Sequence, residues 1–155
     1  MASEYINFIV FLEKTLGTYY GRIKSLPRLE GVKTVLEFME VHSLEHAEII
    51  EGIEIKHPKP TFREGIIADF QNNLTKSVFE RVSGENDILK VLQILADSEE
   101  SLGKLYESIS GMMRKISEHY QNVAEEIEKI GQQELNHRDL LLKDRERLAK
   151  KLSKD

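Results

Sequence analysis

Apolar residues recur every three to four positions along most of this chain, which is the spacing of an amphipathic α-helix. In the first segment, one apolar face is formed by Ile6, Ile9, Leu12, Leu16, Tyr19, Tyr20 and Ile23. Pro27 interrupts that pattern and can occupy the first turn of a second helix. The second apolar face predicts a helix that reaches about Lys56 and is formed by Leu29, Val32, Leu36, Met39, Ala47, Ile50 and Ile53.

The second half of the chain has the same periodicity. A third helix is indicated by Leu92, Leu95, Leu102, Tyr106, Ile109 and Met113, and a fourth, with Ser117 as its N-cap, by Ala124, Ile127, Ile130 and Leu141. Between the halves, "KHPKPTF" contains two prolines that break the second helix. Thr61 and Glu64 then form a candidate capping box for a shorter helix, which "SGEND" follows as a turn. No segment predicts a strand.

The connections between the four long helices are short, long and short. Short links make neighbouring helices antiparallel, and one long crossover is the connectivity of ferritin-like folds. We therefore predict a single all-α domain over residues 1–155, a ferritin-like four-helix bundle with one long crossover between helices two and three. The helix pairs are expected at about 3–56 and 86–150, with the crossover at about 57–85.

The amino-acid composition limits the class of protein and the kinds of metal ligand that this chain can have. The 155 residues are 40% hydrophobic and 32% charged, which is typical of a soluble globular domain. The longest apolar run is too short for a membrane span, and the start lacks the features of a signal peptide, which predicts a cytoplasmic protein without a membrane partner. No phosphate loop or basic stripe indicates nucleic-acid binding. Without cysteine, any metal ligands must be carboxylates and imidazoles.

The phrase E-x-x-L-G-x-x-Y occurs twice, at Glu13–Tyr20 and at Glu99–Tyr106, with an offset of 86 residues. Both glutamates lie on the apolar face of their helix, where burying an ionised carboxylate without a partner is very costly. A glutamate at the edge of such a face often reaches water, but two matched positions favour burial, which requires a cation, a strong set of hydrogen bonds or a proton. The matched glycines indicate close approach of another helix. The tyrosines are interpreted mainly as core residues, with hydrogen bonds to Glu13 and Glu99 or electron supply as alternatives.

Helices two and four are related by an offset of 91 residues. The fourth contains Glu134 and His137, an E-x-x-H pair on one helix face, and His46 of the second helix aligns with His137. Counting residues from the helix ends places these groups at the depth of the repeated glutamates. The predicted metal ligands, from four helices, are Glu13, His46, Glu99, Glu134 and His137. This donor set suits iron, with manganese or another divalent metal as alternatives.

On these residues the chain resembles the ferritin-like superfamily and, within it, the rubrerythrin-type di-iron carboxylate bundles. The resemblance implies that Glu13 and Glu99 are terminal ligands, that His46 and His137 are imidazole ligands, and that Glu134 bridges two metals. It also implies a homodimer and an oxidoreductase of the ferroxidase or peroxidase type. The cysteine-rich rubredoxin domain of many relatives is missing, so electrons would come from a separate donor.

The chain departs from that family at Ser43, where a second bridging glutamate is expected. Glu40 lies one turn earlier and is predicted to point away, since helical side chains lean toward the N-terminus. His42 and Glu45 are predicted to be surface residues. A hydroxide, water or added carboxylate could complete a dinuclear site, a single ion could bind Glu99, Glu134 and His137, or the site could be degenerate.

Three functions follow from these alternatives. The first is an iron-dependent oxidase or peroxidase acting on O₂ or peroxide. Peroxide-reducing relatives usually carry a further carboxylate one turn beyond the third-helix glutamate, whereas this chain has Leu102 and Gly103 there. The second function is metal binding without turnover, and the third is a structural bundle that has lost its site.

Overall fold

The computed structural model describes residues 2–53, 75–116 and 120–154, and these ranges contain helices and short connections but no strand. The helices are α1 (Ala2–Ile23), α2 (Lys33–Glu51), α3 (Ser77–Gly84), α4 (Ile88–Ile116) and α5 (Gln121–Leu152), with a 3₁₀ segment at Pro27–Val32. The prediction of an all-α chain is confirmed. Pro27 occupies the start of the 3₁₀ segment.

The predicted helix boundaries agree with the structure less well than the predicted long helices do. α2 ends at Glu51 rather than near Lys56, and Gly52 follows it as the C-cap, with its N–H bonded 3.0 Å from the carbonyl oxygen of Glu48. Only the end of the predicted crossover is described, and it contains α3. The candidate capping box at Thr61 and Glu64 and the N-cap at Ser117 lie outside the described residues.

The long helices pack as two pairs, α1 with α2 and α4 with α5, and α2 also packs on α5. Contacts such as Lys14 with Glu51 and Lys24 with Glu40 show that α1 and α2 run antiparallel. Links between α1 and α4, described below, run antiparallel as well. α2 and α4 therefore point the same way.

Two matched glycines let paired helices approach closely, as the sequence predicted. A Cβ on Gly17 would lie 3.0 Å from the side chain of Leu44, and one on Gly103 would lie 2.9 Å from the carbonyl oxygen of Gly131. The faces predicted from periodicity supply most of the buried core. None of the described helices is long and apolar enough to cross a membrane.

Candidate metal centre

A group of ionisable side chains lies in the apolar core, midway along the four long helices. α1 contributes Glu13, α2 His46, α4 Glu99, and α5 both Glu134 and His137, and each is at most 3% exposed. The two repeated glutamates thus do not sit at the edge of an apolar face. The structure brings together all five residues that the sequence proposed as ligands.

These side chains form two clusters that share one carboxylate. The first is Glu13, His46 and Glu134, the second is Glu99, Glu134 and His137, and within each the ligand atoms lie within 4.8 Å of one another. Oε1 of Glu134 is 2.6 Å from Nδ1 of His46, and Oε2 of Glu134 is 2.9 Å from Nδ1 of His137. Glu134 therefore faces one cluster with each oxygen.

The outer carboxylates occupy matched places around that shared residue. Oε2 of Glu13 lies 3.8 Å from Nδ1 of His46, and Oε2 of Glu99 lies 3.8 Å from Nδ1 of His137. Two three-residue clusters, each with two carboxylates and one imidazole, thus lie on either side of Glu134.

The two buried tyrosines of the repeat hold the outer carboxylates, and they do so across the bundle. The hydroxyl of Tyr20 on α1 donates to Oε1 of Glu99 on α4, while the hydroxyl of Tyr106 on α4 donates to Oε1 of Glu13 on α1. Interpreting these tyrosines mainly as core packing was therefore incomplete. Each hydroxyl satisfies one carboxylate oxygen and leaves the second oxygen facing the centre.

Several buried polar atoms at the centre lack a hydrogen-bond partner. They are Oε2 of Glu13, Oε2 of Glu99, Oε1 of Glu134 and both ring nitrogens of His46. The 2.6 Å contact between His46 and Glu134 is an ion-pair distance without hydrogen-bond alignment. Unsatisfied buried groups are costly and rare in folded proteins, so a concentration at one point needs a physical explanation. A cation bound between them would satisfy all the carboxylate oxygens.

Protons can bind the same carboxylates and imidazoles that would hold a metal ion. Burial disfavours the charged form of His46, but Glu13 and Glu134 outweigh it and raise its pKa to about 10. Burial likewise opposes protonation of His137, and Glu134 with Glu99 raises its pKa to about 9. Burial, with the nearby charge of Glu134, raises the pKa of Glu99 to about 8. At neutral pH, without metal, protons partly balance these carboxylates, and metal binding must release them.

Ser43 is buried at the position where the other half of the bundle has Glu134, and no carboxylate from residues 2–53, 75–116 or 120–154 takes its place. Glu40 pairs with Lys24 and lies against Gly21, which confirms that it points away from the centre. Glu45 is exposed, as predicted. Glu134 is therefore the only carboxylate that the described residues offer to both clusters.

His42 is the residue that the sequence interpretation missed. It was predicted to be a surface residue, but its side chain is only 30% exposed and its Nδ1 lies 3.3 Å from Nε2 of His137. His42 and His46 are four residues apart and therefore share a helix face. That H-x-x-x-H spacing is the sequence signal that could have placed His42 beside His46.

Comparison of the chain with protein-family models, with curated proteins and with solved structures gives no match. The function is therefore inferred from the geometry of the site alone. Carboxylate and imidazole donors from four helices form buried clusters that could hold metal.

Proposed function

We propose that this chain is a ferritin-like, rubrerythrin-type protein that holds one or two metal ions, iron or manganese, between its long helices. The observation that carries the proposal is the convergence of buried ligand atoms that have no hydrogen-bond partner. The helix directions support it, because α2 and α4 run the same way and need the long crossover of ferritin-like folds.

Each side chain has a definable part in this arrangement. Glu134 would hold an ion on either side, with Glu13 and His46 as the other ligands on one side and Glu99 and His137 on the other. The tyrosines orient the outer carboxylates, and the surrounding apolar core excludes water. Iron bound here would supply redox chemistry and Lewis acidity toward O₂ or peroxide, with electrons from a separate donor.

The charge balance decides how many ions the centre holds. Three carboxylates face four positive charges if two divalent ions bind, because Ser43 replaces the fourth carboxylate. A hydroxide, a water or an added carboxylate beside Ser43 would complete the pair. The position formed by Glu99, Glu134 and His137 is the better candidate for a single ion, since it lies within the half that keeps the E-x-x-H pair.

Metal binding without turnover is the second candidate function. Ser43 is the observation that favours it, because a missing bridge weakens the second position. Leu102 and Gly103, found where peroxide-reducing relatives carry a carboxylate, also reduce support for peroxidase activity. A degenerate bundle is least favoured, since it leaves the unsatisfied core atoms unexplained.

The test is anaerobic loading with ferrous iron, desalting and metal analysis by mass spectrometry, with the Glu134→Ala/His137→Ala variant as comparison. We expect near two ions per chain if an added ligand completes the centre and about one if only one position fills. Oxidase and peroxidase assays on the loaded protein then separate the two candidate functions. Equal metal content in both proteins would contradict the proposal.

We also propose that the protein forms a homodimer, as the family resemblance implies. Support comes from large apolar side chains on the outer faces of α1 and α2 that are about half exposed, namely Phe11, Val41, Leu44 and Ile49. Light scattering coupled to size-exclusion chromatography would report the mass. A single-chain mass at micromolar concentration would contradict this proposal without affecting the metal centre.

A further inference from the structure

Three imidazole rings meet on the side of the centre that His42 occupies. One nitrogen from each of His42, His46 and His137 lies within 4.8 Å of the other two. The rings of His46 and His137 are nearly parallel, at 12° with centroids 5.6 Å apart, and His42 crosses His137 at 77°. These contacts join α2 to α5 next to the buried Ser43.

His137 presents a different nitrogen to each side. Its Nδ1 faces Glu134 at 2.9 Å, whereas its Nε2 faces Nδ1 of His42 at 3.3 Å. Two nitrogens bound tetrahedrally to one zinc ion at about 2.0–2.1 Å are separated by roughly 3.3 Å. The His42–His137 distance therefore fits a pair of zinc ligands as well as the hydrogen bond that the two rings form without an ion.

His46 gives an independent reason to expect an ion here. Both of its ring nitrogens are buried and without a hydrogen bond. The carboxylate cluster can use Nδ1, which lies 2.6 Å from Glu134. A histidine that binds metal normally donates its other N–H to a partner, and Nε2 of His46 has none. A ligand on the imidazole side would satisfy this ring.

We propose that His42, His46 and His137 form a second metal site, made of nitrogen ligands only, beside the carboxylate centre. Three imidazoles with an open fourth position suit Zn²⁺ or another ion that prefers imidazole, whereas the carboxylate clusters suit iron or manganese. The site stands on its own contacts and does not require the carboxylate centre to bind iron.

Access to solvent distinguishes this site from the centre behind it. His42 is partly exposed, while His46 and His137 are buried, so an ion can reach His42 from water. The ring of Phe38 packs against the His42 ring at a tilt of 34°, with centroids 3.9 Å apart. An ion bound there would occupy the solvent-facing side of the shared His137 ring.

The test titrates Zn²⁺ into protein with ¹⁵N-labelled histidines and follows each ring by NMR, with affinity measured by competition with a chromophoric chelator. We expect the Nδ1 signal of His42 to move to the position of a zinc-bound nitrogen. His42→Ala should lower zinc affinity by about tenfold or more. Gln133→Ala is the matched control, because Gln133 is exposed and aligns with His42 at the offset of 91.

A His42 signal that stays that of a free or hydrogen-bonded ring while zinc binds would overturn the proposal, as would unchanged affinity in His42→Ala. A Glu13→Gln/Glu99→Gln variant separates it from the proposed function. That variant keeps all three imidazoles, so zinc should still shift His42 while iron loading falls. Loss of iron binding with retained zinc binding would leave this inference standing alone.

Discussion

The two halves of the bundle, α1 with α2 and α4 with α5, share a repeated arrangement around the centre. The buried tyrosine–glutamate pairs are reciprocal, Gly17 and Gly103 lie against the matched leucines Leu44 and Leu135, and the inner histidines correspond. Two differences at this level are that Ser43 stands where α5 has Glu134, and that His42 stands where α5 has Gln133. The two positions are adjacent on α2, and His42 contacts His137.

This comparison distinguishes the contacts that stabilise the buried charged side chains from the residues that determine the metal ligands. The tyrosine hydroxyls and the close helix contacts are present in both halves, because a buried carboxylate needs a donor wherever it lies. The bridging position is filled from α5 alone. On α2 the absence of a carboxylate at Ser43 coincides with an imidazole one residue away, at His42, so the half formed by α1 and α2 offers fewer oxygen ligands and one more nitrogen ligand.

The largest expected effect concerns the protons that balance the carboxylates in both halves without metal. The pKa of His46, about 10, and that of His137, about 9, lie above the ordinary 6.5, and the pKa of Glu99, about 8, lies above 4.5. Raised pKa values stabilise the fold at low pH and lose that contribution as pH rises through them. Metal-free protein should therefore lose stability from pH 7 to about 10.

Denaturation midpoints in chelator, measured across that range, check this prediction. Saturating Mn²⁺ should flatten the dependence, because bound metal replaces the protons. The lowered pKa of Glu134 acts only at acidic pH and does not oppose the trend. A midpoint that is constant or rises toward pH 10 in chelator would show that the core is not held by these protons.

The next largest effect on stability is expected from giving α2 a carboxylate at the position that matches Glu134 of α5. Ser43→Glu adds a fourth buried carboxylate, which without metal lacks a partner and should cost about 3–5 kcal/mol of unfolding free energy. With ferrous iron or Mn²⁺, the same variant should bind two ions per chain and gain more stability from metal than the unchanged protein. Ser43→Ala is the matched control. If the stability of the Ser43→Glu protein did not change on adding metal, this would argue against a metal site beside residue 43.

The reciprocal tyrosines provide a smaller and symmetric test. Tyr20→Phe and Tyr106→Phe each remove the one hydroxyl that, among the described residues, donates to an outer carboxylate, and each should cost about 1.5–3 kcal/mol. Urea unfolding of both variants measures this. Tyr19→Phe, at a partly exposed ring stacked on Phe79, should change stability by less than about 0.5 kcal/mol. Unequal costs for the two buried tyrosines would reveal an asymmetry that the hydrogen bonds do not show.

The glycines give the smallest effect and distinguish the halves. A Cβ at Gly103 meets backbone, the carbonyl oxygen of Gly131, so Gly103→Ala should destabilise by about 1–3 kcal/mol. A Cβ at Gly17 meets the movable side chain of Leu44, and alanine's higher helix propensity, about 1 kcal/mol, should largely offset the contact. Thermal unfolding of both variants compares them directly. Equal losses would mean that α1 and α2 are as tightly constrained as α4 and α5.

Periodicity and repeats were enough to predict the four long helices and the five converging side chains. They did not predict the bounds of α3, whose last residues, Ser83 and Gly84, lie in the segment predicted as a turn. Helical faces follow from the local spacing of apolar residues, and Glu13 and Glu99 could be recognised as charged residues within those faces. The matched glycines likewise predicted close helix contacts. The end of α2 was less well predicted, because Gly52 ends the helix before the prolines that the pattern emphasised.

The remaining features depend on how separate helices are rotated about their axes. Tyr20 reaches Glu99 and Tyr106 reaches Glu13, and spacing within one helix cannot specify such crossed partners. The contact of His42 with His137 joins residues 95 positions apart and requires the packing of α2 on α5. Sequence spacing could place His42 near the face of His46, but not against a second helix.

The most direct test of the central claim is an anomalous diffraction map from crystals of the protein grown with Mn²⁺. The account predicts a peak between Glu134 and Nδ1 of His46 or His137, or one on each side of Glu134. It also predicts that the free oxygens of Glu13 and Glu99 turn toward the occupied positions. No peak at Glu134, with its oxygens instead hydrogen-bonded directly to protonated His46 and His137, would contradict a metal centre.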